Sequence, residues 1–462
     1  MTKNIIYHNK KVTIMGLGLH GGGLAITKWL AKQGAKILVT DTKTKKELKE
    51  SIEKLKKYKI TYVLGKHREQ DFKNRDIIIK NPGVPKESKY LKMAQKNNIP
   101  IETDMSIFFG LCKAKIIGVT GTKGKSTSAS LIYKILKSEY NNVVLAGNIR
   151  ISPLEILDEI NNETLVVLEL SSWQLEDMNH IKKSPKISLM TNLLPDHLNR
   201  YKSMSDYIKS KKIIFKYQNE SDIAILNYDN DLTKNIFNEL KAKKIVYSKN
   251  YIKNDNSVYI KNGWIKYRYE KRDNIVLPVK DIKLPGQHNL ENVLSAIAVA
   301  KILNISNQNI RKSVKSFKGI PDRLELIRTW KGIKFYNDTT ATAPDAAIVG
   351  LKSFKDGVIL IAGGYDKNLQ YNKFSKEIFN KAYFTILFKG TATKKIIIEF
   401  KKIDYQSYQV VNNMDEAVEM AVKKIPNQCK KILLSPGAAS FGIFINEFDR
   451  GDQFKRKVKS LK

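Results

Sequence analysis

The chain has 462 residues, 42% of them hydrophobic, and carries a formal net charge of +37. That length predicts about three domains at roughly 150 residues each, with enough apolar side chains for buried cores. No run of about 18 apolar residues occurs, which excludes a transmembrane helix, and two cysteines cannot make a disulfide framework.

The first residues lack the apolar stretch of a secretory signal, so a cytoplasmic protein without a membrane partner is expected. The lysines are spread along the whole chain and form no compact basic stripe interleaved with aromatics. A nucleic-acid partner is therefore not expected, although a positive surface would steer phosphate-bearing ligands.

In chain order, Lys11 to Met15 reads as a strand running into Gly16-Leu-Gly-Leu-His-Gly21, which satisfies G-x-G-x-x-G. A helix is predicted from Gly23 to Gln33, and a second strand from Lys36 to Thr40 ends at Asp41. The acidic residue lies about 20 positions after the glycines, the spacing of a dinucleotide fingerprint. Taken alone, this pattern predicts an NAD-dependent oxidoreductase. Asp76 to Ile79 and the turn Asn81-Pro-Gly-Val-Pro85 fit another strand end with a loop facing a ligand. The first domain is expected to end near Phe109.

Lys115 to Val119 then reads as a buried strand, followed by Gly121-Thr-Lys-Gly-Lys-Ser-Thr127 and an amphipathic run with Leu131, Ile132, Ile135 and Leu136 at helical spacing. Strand, glycine turn and helix start form a phosphate cradle, where backbone N–H groups and the helix N-terminus favour an anion. Lys125 would reach the terminal phosphates, and Ser126 or Thr127 would ligate Mg²⁺. The strict G-x-x-x-x-G-K-[ST] pattern misses by one position, because Val119 stands where the first glycine belongs.

Val143 to Ala146 and Leu165 to Leu170 read as further strands. Glu169, inside the second, is either salt-bridged to a lysine or bound to metal, because a bare carboxylate there is costly. The strand Ile187 to Met190 delivers a loop with His197 just past its end, where open sheets collect ligands. A lysine-rich helix is predicted from Tyr207 to Tyr217. Residues 228–283 read as a small antiparallel excursion. Gly286-Gln-His-Asn289 enters an apolar helix on which Asn289 and Asn292 share a face, either capping it or contacting a base.

Strands at Ile333 to Tyr336, Val358 to Ala362, Thr385 to Phe388 and Lys431 to Leu434 alternate with helices in the last third of the chain. Polar residues at their C-terminal ends, Asp338 and Ser435 among them, imply a second parallel sheet with a ligand cleft along that edge.

Several of these motifs, in this order, resemble the Mur ligase family of ATP-dependent amide ligases. They are Gly121-Thr-Lys-Gly-Lys-Ser-Thr, Glu169-Leu-Ser-Ser-Trp-Gln-Leu-Glu, Pro195-Asp-His-Leu-Asn-Arg-Tyr, Gly286-Gln-His-Asn, Asp322-Arg-Leu-Glu and Asn337-Asp-Thr-Thr-Ala-Thr. The resemblance spans nearly the whole chain. Glu169-Leu-Ser-Ser-Trp-Gln-Leu-Glu, Ser435-Pro-Gly-Ala-Ala-Ser-Phe and Asn446-Glu-Phe-Asp-Arg-Gly are most similar to the branch that adds D-glutamate to UDP-N-acetylmuramoyl-L-alanine.

The resemblance implies an α/β chain of three domains. Residues 1–109 would form a Rossmann-like domain for the UDP substrate, 110–319 a central phosphate-loop ATPase domain with a parallel sheet, and 320–462 a Rossmann-like closing lobe. It implies ATP and Mg²⁺ at two sites, a monomer, and a role in cytoplasmic peptidoglycan precursor synthesis.

It also assigns roles. Gly121, Thr122, Lys123, Gly124, Lys125, Ser126, Thr127, Asn289, Arg323 and Asp338 would contact ATP. Ser126, Thr127 and Glu169 would ligate one Mg²⁺, while His197 would bind a second. A carbamylated lysine stabilising that metal matches Lys211, with Lys212 as the other register. Leu19, His20, Asp41, Thr42, Gly83, Asn148 and His197 would meet the UDP substrate. Thr342, Lys367, Ser440 and Phe448 would hold the amino acid. Lys125, Glu169, His197, Lys211, Arg323 and Asp338 would carry the chemistry.

Three departures stand out: Lys123 in the phosphate loop, Arg150 after Gly147-Asn-Ile, and Thr340 where the family carries a lysine. The last leaves the handedness of the glutamate open. The rival readings are another Mur or folylpolyglutamate-type ligase, the oxidoreductase, and a basic nucleic-acid binder.

Overall fold

Apolar strands alternating with amphipathic helices can bury their faces only by layering helices on parallel sheets. The computed structural model of the chain has that architecture, and it describes residues 6–18, 22–149, 151–196, 200–284, 286, 288–366 and 369–462. The chain divides into two compact units, Met1–Ile282 with Leu290–Lys315, and Lys283–Asn289 with Ser316–Lys462.

The first unit holds two sheets. One is parallel throughout, with strands in the order Ile60–Leu64, Lys36–Asp41, Lys11–Met15, Ile77–Lys80 and Ile101–Glu102. The strand Lys11–Met15 is central, and every residue after Lys11 is buried. The helix Gly22–Lys32 follows the glycine loop, one residue earlier at each end than the sequence predicts.

The other sheet is parallel from Val143–Gly147 through Leu165–Glu169, Lys115–Thr120, Ile187–Met190, Ile223–Asn227 and Lys243–Ser248 to Ser257–Lys261. The expected antiparallel excursion extends this same sheet as Trp264–Tyr269 and Arg272–Pro278. Asn262 and Gly263 make its first turn at φ of 52° and 74°. Two residues of positive φ give the twist that a tight hairpin needs, and Asn-Gly adopts it at little cost.

One apolar cluster joins the two sheets, running from Val12, Ile14 and Trp29 through Phe108 to Val166, Leu168 and Ile214. The helix Asp104–Leu111 brings Phe108 there, and its start is fixed by reciprocal capping between Thr103 and Ser106.

The second unit orders its strands Glu325–Trp330, Ile333–Asn337, Lys431–Leu434, Val358–Gly363, Ala382–Phe388 and Tyr408–Val411, parallel except for the first pair. Alternate residues of Val358–Gly363 enter different cores: Val358, Leu360 and Ala362 one, Ile359 and Ile361 the other. Burial on both faces is why this strand reads as an unbroken apolar run.

Candidate active site

The phosphate loop is held open by two glycines that nothing larger could replace. Gly121 sits at φ 143° with Thr191 Oγ1 where a Cβ would go, and Gly124 at φ 85° with Asn292 Oδ1 there. The loop is pinned from behind: Thr122 N donates to Asn192 O at 2.8 Å, and Lys123 N to Asn192 Oδ1 at 2.9 Å. Thr191 Oγ1 donates to Lys123 O at 2.6 Å. Gly124 starts the helix Lys125–Leu136 with no side-chain cap, which leaves the positive end of the helix open to an anion.

Lys125 folds back over the loop, its Nζ 3.0 Å from both Gly121 O and Thr122 O. Lys211, on the helix Met204–Lys216, donates to the same Gly121 carbonyl at 2.8 Å. It is only 2% exposed and lies over the Tyr207 ring at 4.9 Å. Burial pushes the Lys211 amine well below the ordinary lysine range; the Lys125 charge adds to this, while Asp196 and Glu169 oppose it. Lys123 is paired with Asp196 at 3.1 Å, so its extra charge is compensated at the loop.

Glu169 ends its strand 1% exposed. Its Oε1 accepts Asn148 Nδ2 at 2.9 Å, whereas Oε2 is buried with no partner. The lysine salt bridge, one of the two alternatives, is therefore not what holds it. A buried carboxylate oxygen without a donor is costly unless a cation meets it. The Ser126 and Thr127 hydroxyls stand in the first turn of the helix Lys125–Leu136, and together with Glu169 they would make a hard-oxygen donor set that suits Mg²⁺. Among the described residues no cluster of three or more His, Cys, Asp or Glu could hold a metal by itself.

A cavity of about 510 Å³ in the first unit is lined by Gly18, Gly83, Lys125, Asn148, Tyr207 and Lys211, among others. It unites residues predicted for the UDP substrate with residues predicted for ATP. A larger cleft of about 1020 Å³ runs past Lys209 and Lys216 on the same helix as Lys211, but no residue of the phosphate loop lines it. Of the two, only the smaller cavity is lined by a residue of the phosphate loop, Lys125.

Asp41 is committed elsewhere: its Oδ2 accepts the Leu17 and Gly18 amides at 2.9 and 3.1 Å, and its Oδ1 the Lys43 amide at 2.9 Å. A carboxylate so engaged shapes the glycine loop and is poorly placed to grip a ribose, as the oxidoreductase reading requires. Thr42 beside it is exposed. Leu19, His20 and His197 lie outside the described residues.

In the second unit, Asp338 is buried at a strand end, accepting Leu324 N at 3.2 Å and Ser435 Oγ at 2.7 Å. Burial raises its carboxyl to about 7 against the pull of Ser435 and Arg323. Thr342 turns back on Thr340, and Gly437 N donates to Ala341 O at 2.9 Å, which ties together the loops after two strands. Ser440 is buried next to them, and Asn446 Oδ1 accepts the Phe448 amide at 2.9 Å. Asn289 N donates to Gly286 O at 3.1 Å. Lys367 lies outside the described residues.

Sequence reasoning missed several groups. Asn192 and Thr191 brace the phosphate loop, and Tyr207 OH meets Thr122 Oγ1 at 3.2 Å. Arg450, fully buried, sends Nε and Nη2 to Thr339 Oγ1 and O at 3.0 and 2.9 Å and Nη1 to Ala438 O at 3.3 Å. Its burial lowers the guanidinium to about 9. Only the unusual Asn-Glu-Phe-Asp-Arg-Gly string hinted at it.

With this geometry in place, the comparisons with known proteins agree. Residues 119–300 match the Mur ligase middle domain, 10–103 the MurD-like N-terminal domain, and 322–437 the Mur ligase glutamate ligase domain. The chain belongs to the Mur ligase family. It is 39% identical to the UDP-N-acetylmuramoylalanine--D-glutamate ligase of Roseiflexus sp. (strain RS-1), over 98% of this chain and 99% of that protein. It is 40% identical to the protein of the same name from Borreliella afzelii (strain PKo), over 98% of each. Its fold resembles UDP-N-acetylmuramate-alanine ligase from Thermotoga maritima at a TM-score of 0.61 and 20% identity, covering 98% of this chain and all of that one.

Proposed function

We propose that this protein is an ATP-dependent ligase that joins D-glutamate to UDP-N-acetylmuramoyl-L-alanine in peptidoglycan precursor synthesis. What supports the reading is the full-length kinship together with one cavity that holds Lys125, Asn148, Lys211 and Gly83. Among the described residues no helix is long and apolar enough to cross a membrane. We assign the enzyme to the cytoplasm, with division into residues 1–109, 110–319 and 320–462.

A carboxylate resists an amine until one of its oxygens can leave. The γ-phosphoryl group of ATP moves onto the alanine carboxylate, giving an acyl phosphate and ADP. The D-glutamate amine then attacks the carbonyl, and the tetrahedral intermediate collapses to the amide with loss of phosphate and a proton. Transfer between anions depends on positioning and charge neutralisation. Mg²⁺, when bound, would supply such neutralisation.

The protein's own groups do the rest. Lys125 swings from the loop carbonyls onto the terminal phosphates, as the amides of Gly121 to Thr127 enclose them. Ser126, Thr127 and the free oxygen of Glu169 would hold one Mg²⁺, and His197 with a carbamylated Lys211 would hold the second. Asn148, oriented by Glu169, and Gly83 position the UDP substrate with Leu19, His20 and Thr42, on a glycine loop that Asp41 holds in shape. Asn289, Arg323 and Asp338 bind ATP, with Arg323 bearing on the transferring group. Thr342, Lys367, Ser440 and Phe448 receive the glutamate, and Lys367 meets a carboxylate.

Phosphate release measured with UDP-muramoyl-alanine and D-Glu, L-Glu, L-Lys or diaminopimelate tests this directly. Release is expected only with D-Glu and only with both substrates present. Turnover with a diamino acid alone would overturn the assignment.

A further inference from the structure

The wall of the substrate cavity contains two polar side chains that the ligase chemistry above leaves idle. Asp104, the first residue of the helix Asp104–Leu111, and Ser152, from the turn after Gly147, both line it. Each is 8% exposed. Asp104 Oδ1 accepts the Met105 amide at 2.8 Å. The Ser152 hydroxyl lies close enough to draw the Asp104 carboxyl pKa down, yet it closes no hydrogen bond and is buried without a partner. Both groups therefore keep unused hydrogen-bonding capacity, and they face a cavity shared with Gly18, Asn148 and Lys125. Unsatisfied polar atoms are expensive in a wall that only packs, and become useful when a ligand supplies the missing partner.

The chemistry of that partner follows from charge. The substrate is anionic at both ends, a diphosphate and a carboxylate, and the cations Lys125 and Lys211 serve the reacting end. A carboxyl group could not face either anion without repulsion, but it can accept from N–H and O–H donors. Between the two anions the substrate offers such donors on the alanyl amide, which has one N–H, and on its amino sugar, which alone supplies O–H and N–H groups side by side for a paired carboxyl and hydroxyl. We infer that Asp104 and Ser152 together bind the hydroxyl and acetamido groups of the muramoyl sugar, and so set specificity for a UDP-linked N-acetylated sugar. The inference rests on the ligase reading.

The test uses the full-length enzyme, first confirmed to release phosphate with UDP-muramoyl-alanine and D-Glu; silence at that stage counts against the ligase reading and not against this one. Ser152→Ala and Asp104→Asn are then compared with wild type, varying each substrate in turn, with UDP alone as a competitive probe lacking the sugar. Each variant should raise KM for UDP-muramoyl-alanine roughly five- to tenfold, the worth of one hydrogen bond. The KM values for ATP and D-glutamate, the saturated kcat and inhibition by UDP should stay within about twofold. Ser152→Ala removes a single hydroxyl and decides the matter if Asp104→Asn folds poorly. An unchanged KM for the UDP substrate, equal loss of UDP inhibition, or a parallel rise in all three KM values would each overturn the inference.

Discussion

Lys125 and Lys211 point their amines at one oxygen, the carbonyl of Gly121, at 3.0 and 2.8 Å. Two ammonium groups sharing an acceptor in a buried pocket repel, and the more buried one yields its proton. Burial first, and the Lys125 charge second, push the Lys211 amine well below the ordinary lysine range, which favours the neutral form that attacks CO₂ to give a carbamate. In ¹³C-bicarbonate the wild type should show one carbamate carbon resonance. Lys211→Ala should abolish it and Lys125→Met, by removing the neighbouring charge, should weaken it. A saturated wild-type sample with no such signal would end the proposal.

Asp338 sets a second expectation. Its carboxyl titrates near 7 when folded, whereas its ordinary value is 3.8. The folded state thus holds a proton that the unfolded state releases, and stability falls as pH rises from about 4 to about 7. The full effect is on the order of a few kcal/mol. Asp104, raised to about 6, acts in the same direction but only up to that pH. Thermal unfolding of Asp338→Asn should accordingly lose its slope between pH 6 and 7 and keep part of it below. Equal slopes in both proteins would show that Asp338 is not buried as described.

At the phosphate loop, Gly124→Ala meets two obstacles, a φ of 85° and the Asn292 amide. The backbone strain alone costs about 1–3 kcal/mol. Relieving the clash with Asn292→Ala should therefore recover only part of the stability, and ATP affinity should stay more than tenfold down by calorimetric titration. Full recovery in the double variant would mean that the clash, and not the backbone, requires glycine.

The ion pair Lys80–Asp177, 2.7 Å long with side chains 4% and 12% exposed, makes a fourth case. Lys80→Met strands the carboxylate in the interior and should cost about 3–5 kcal/mol in denaturant titration. Lys80→Met with Asp177→Leu should regain most of that loss, because burying two ions is itself costly. A double variant as unstable as the single one would show that the pair is a net stabiliser.

Much of this was legible in the residues. The strands Ile187–Met190 and Lys431–Leu434 appear where periodicity places them, because long apolar runs between turn residues admit few alternatives. Glu169 was legible for the same reason, as a charge that an apolar strand must justify. Its Asn148 partner was not, because that contact depends on how two neighbouring parallel strands pair. Ser152 was invisible, and Arg450 was marked only by the string around it, for a related reason: local sequence does not say which side chains lose their water. Asp41 shows that one spacing can carry two meanings, since the interval that reads as a nucleotide fingerprint also places its carboxylate on the amides of its own loop.

The guanidinium of Arg450 ties the helix Glu447–Ser460 to the hydroxyl and carbonyl of Thr339 and the carbonyl of Ala438, using a flat fork of three directed donors. Lysine carries a comparable charge but offers no such fork. In a saturation mutagenesis library, position 450 should therefore tolerate replacement as poorly as the reactive loops do, although solvent never reaches it.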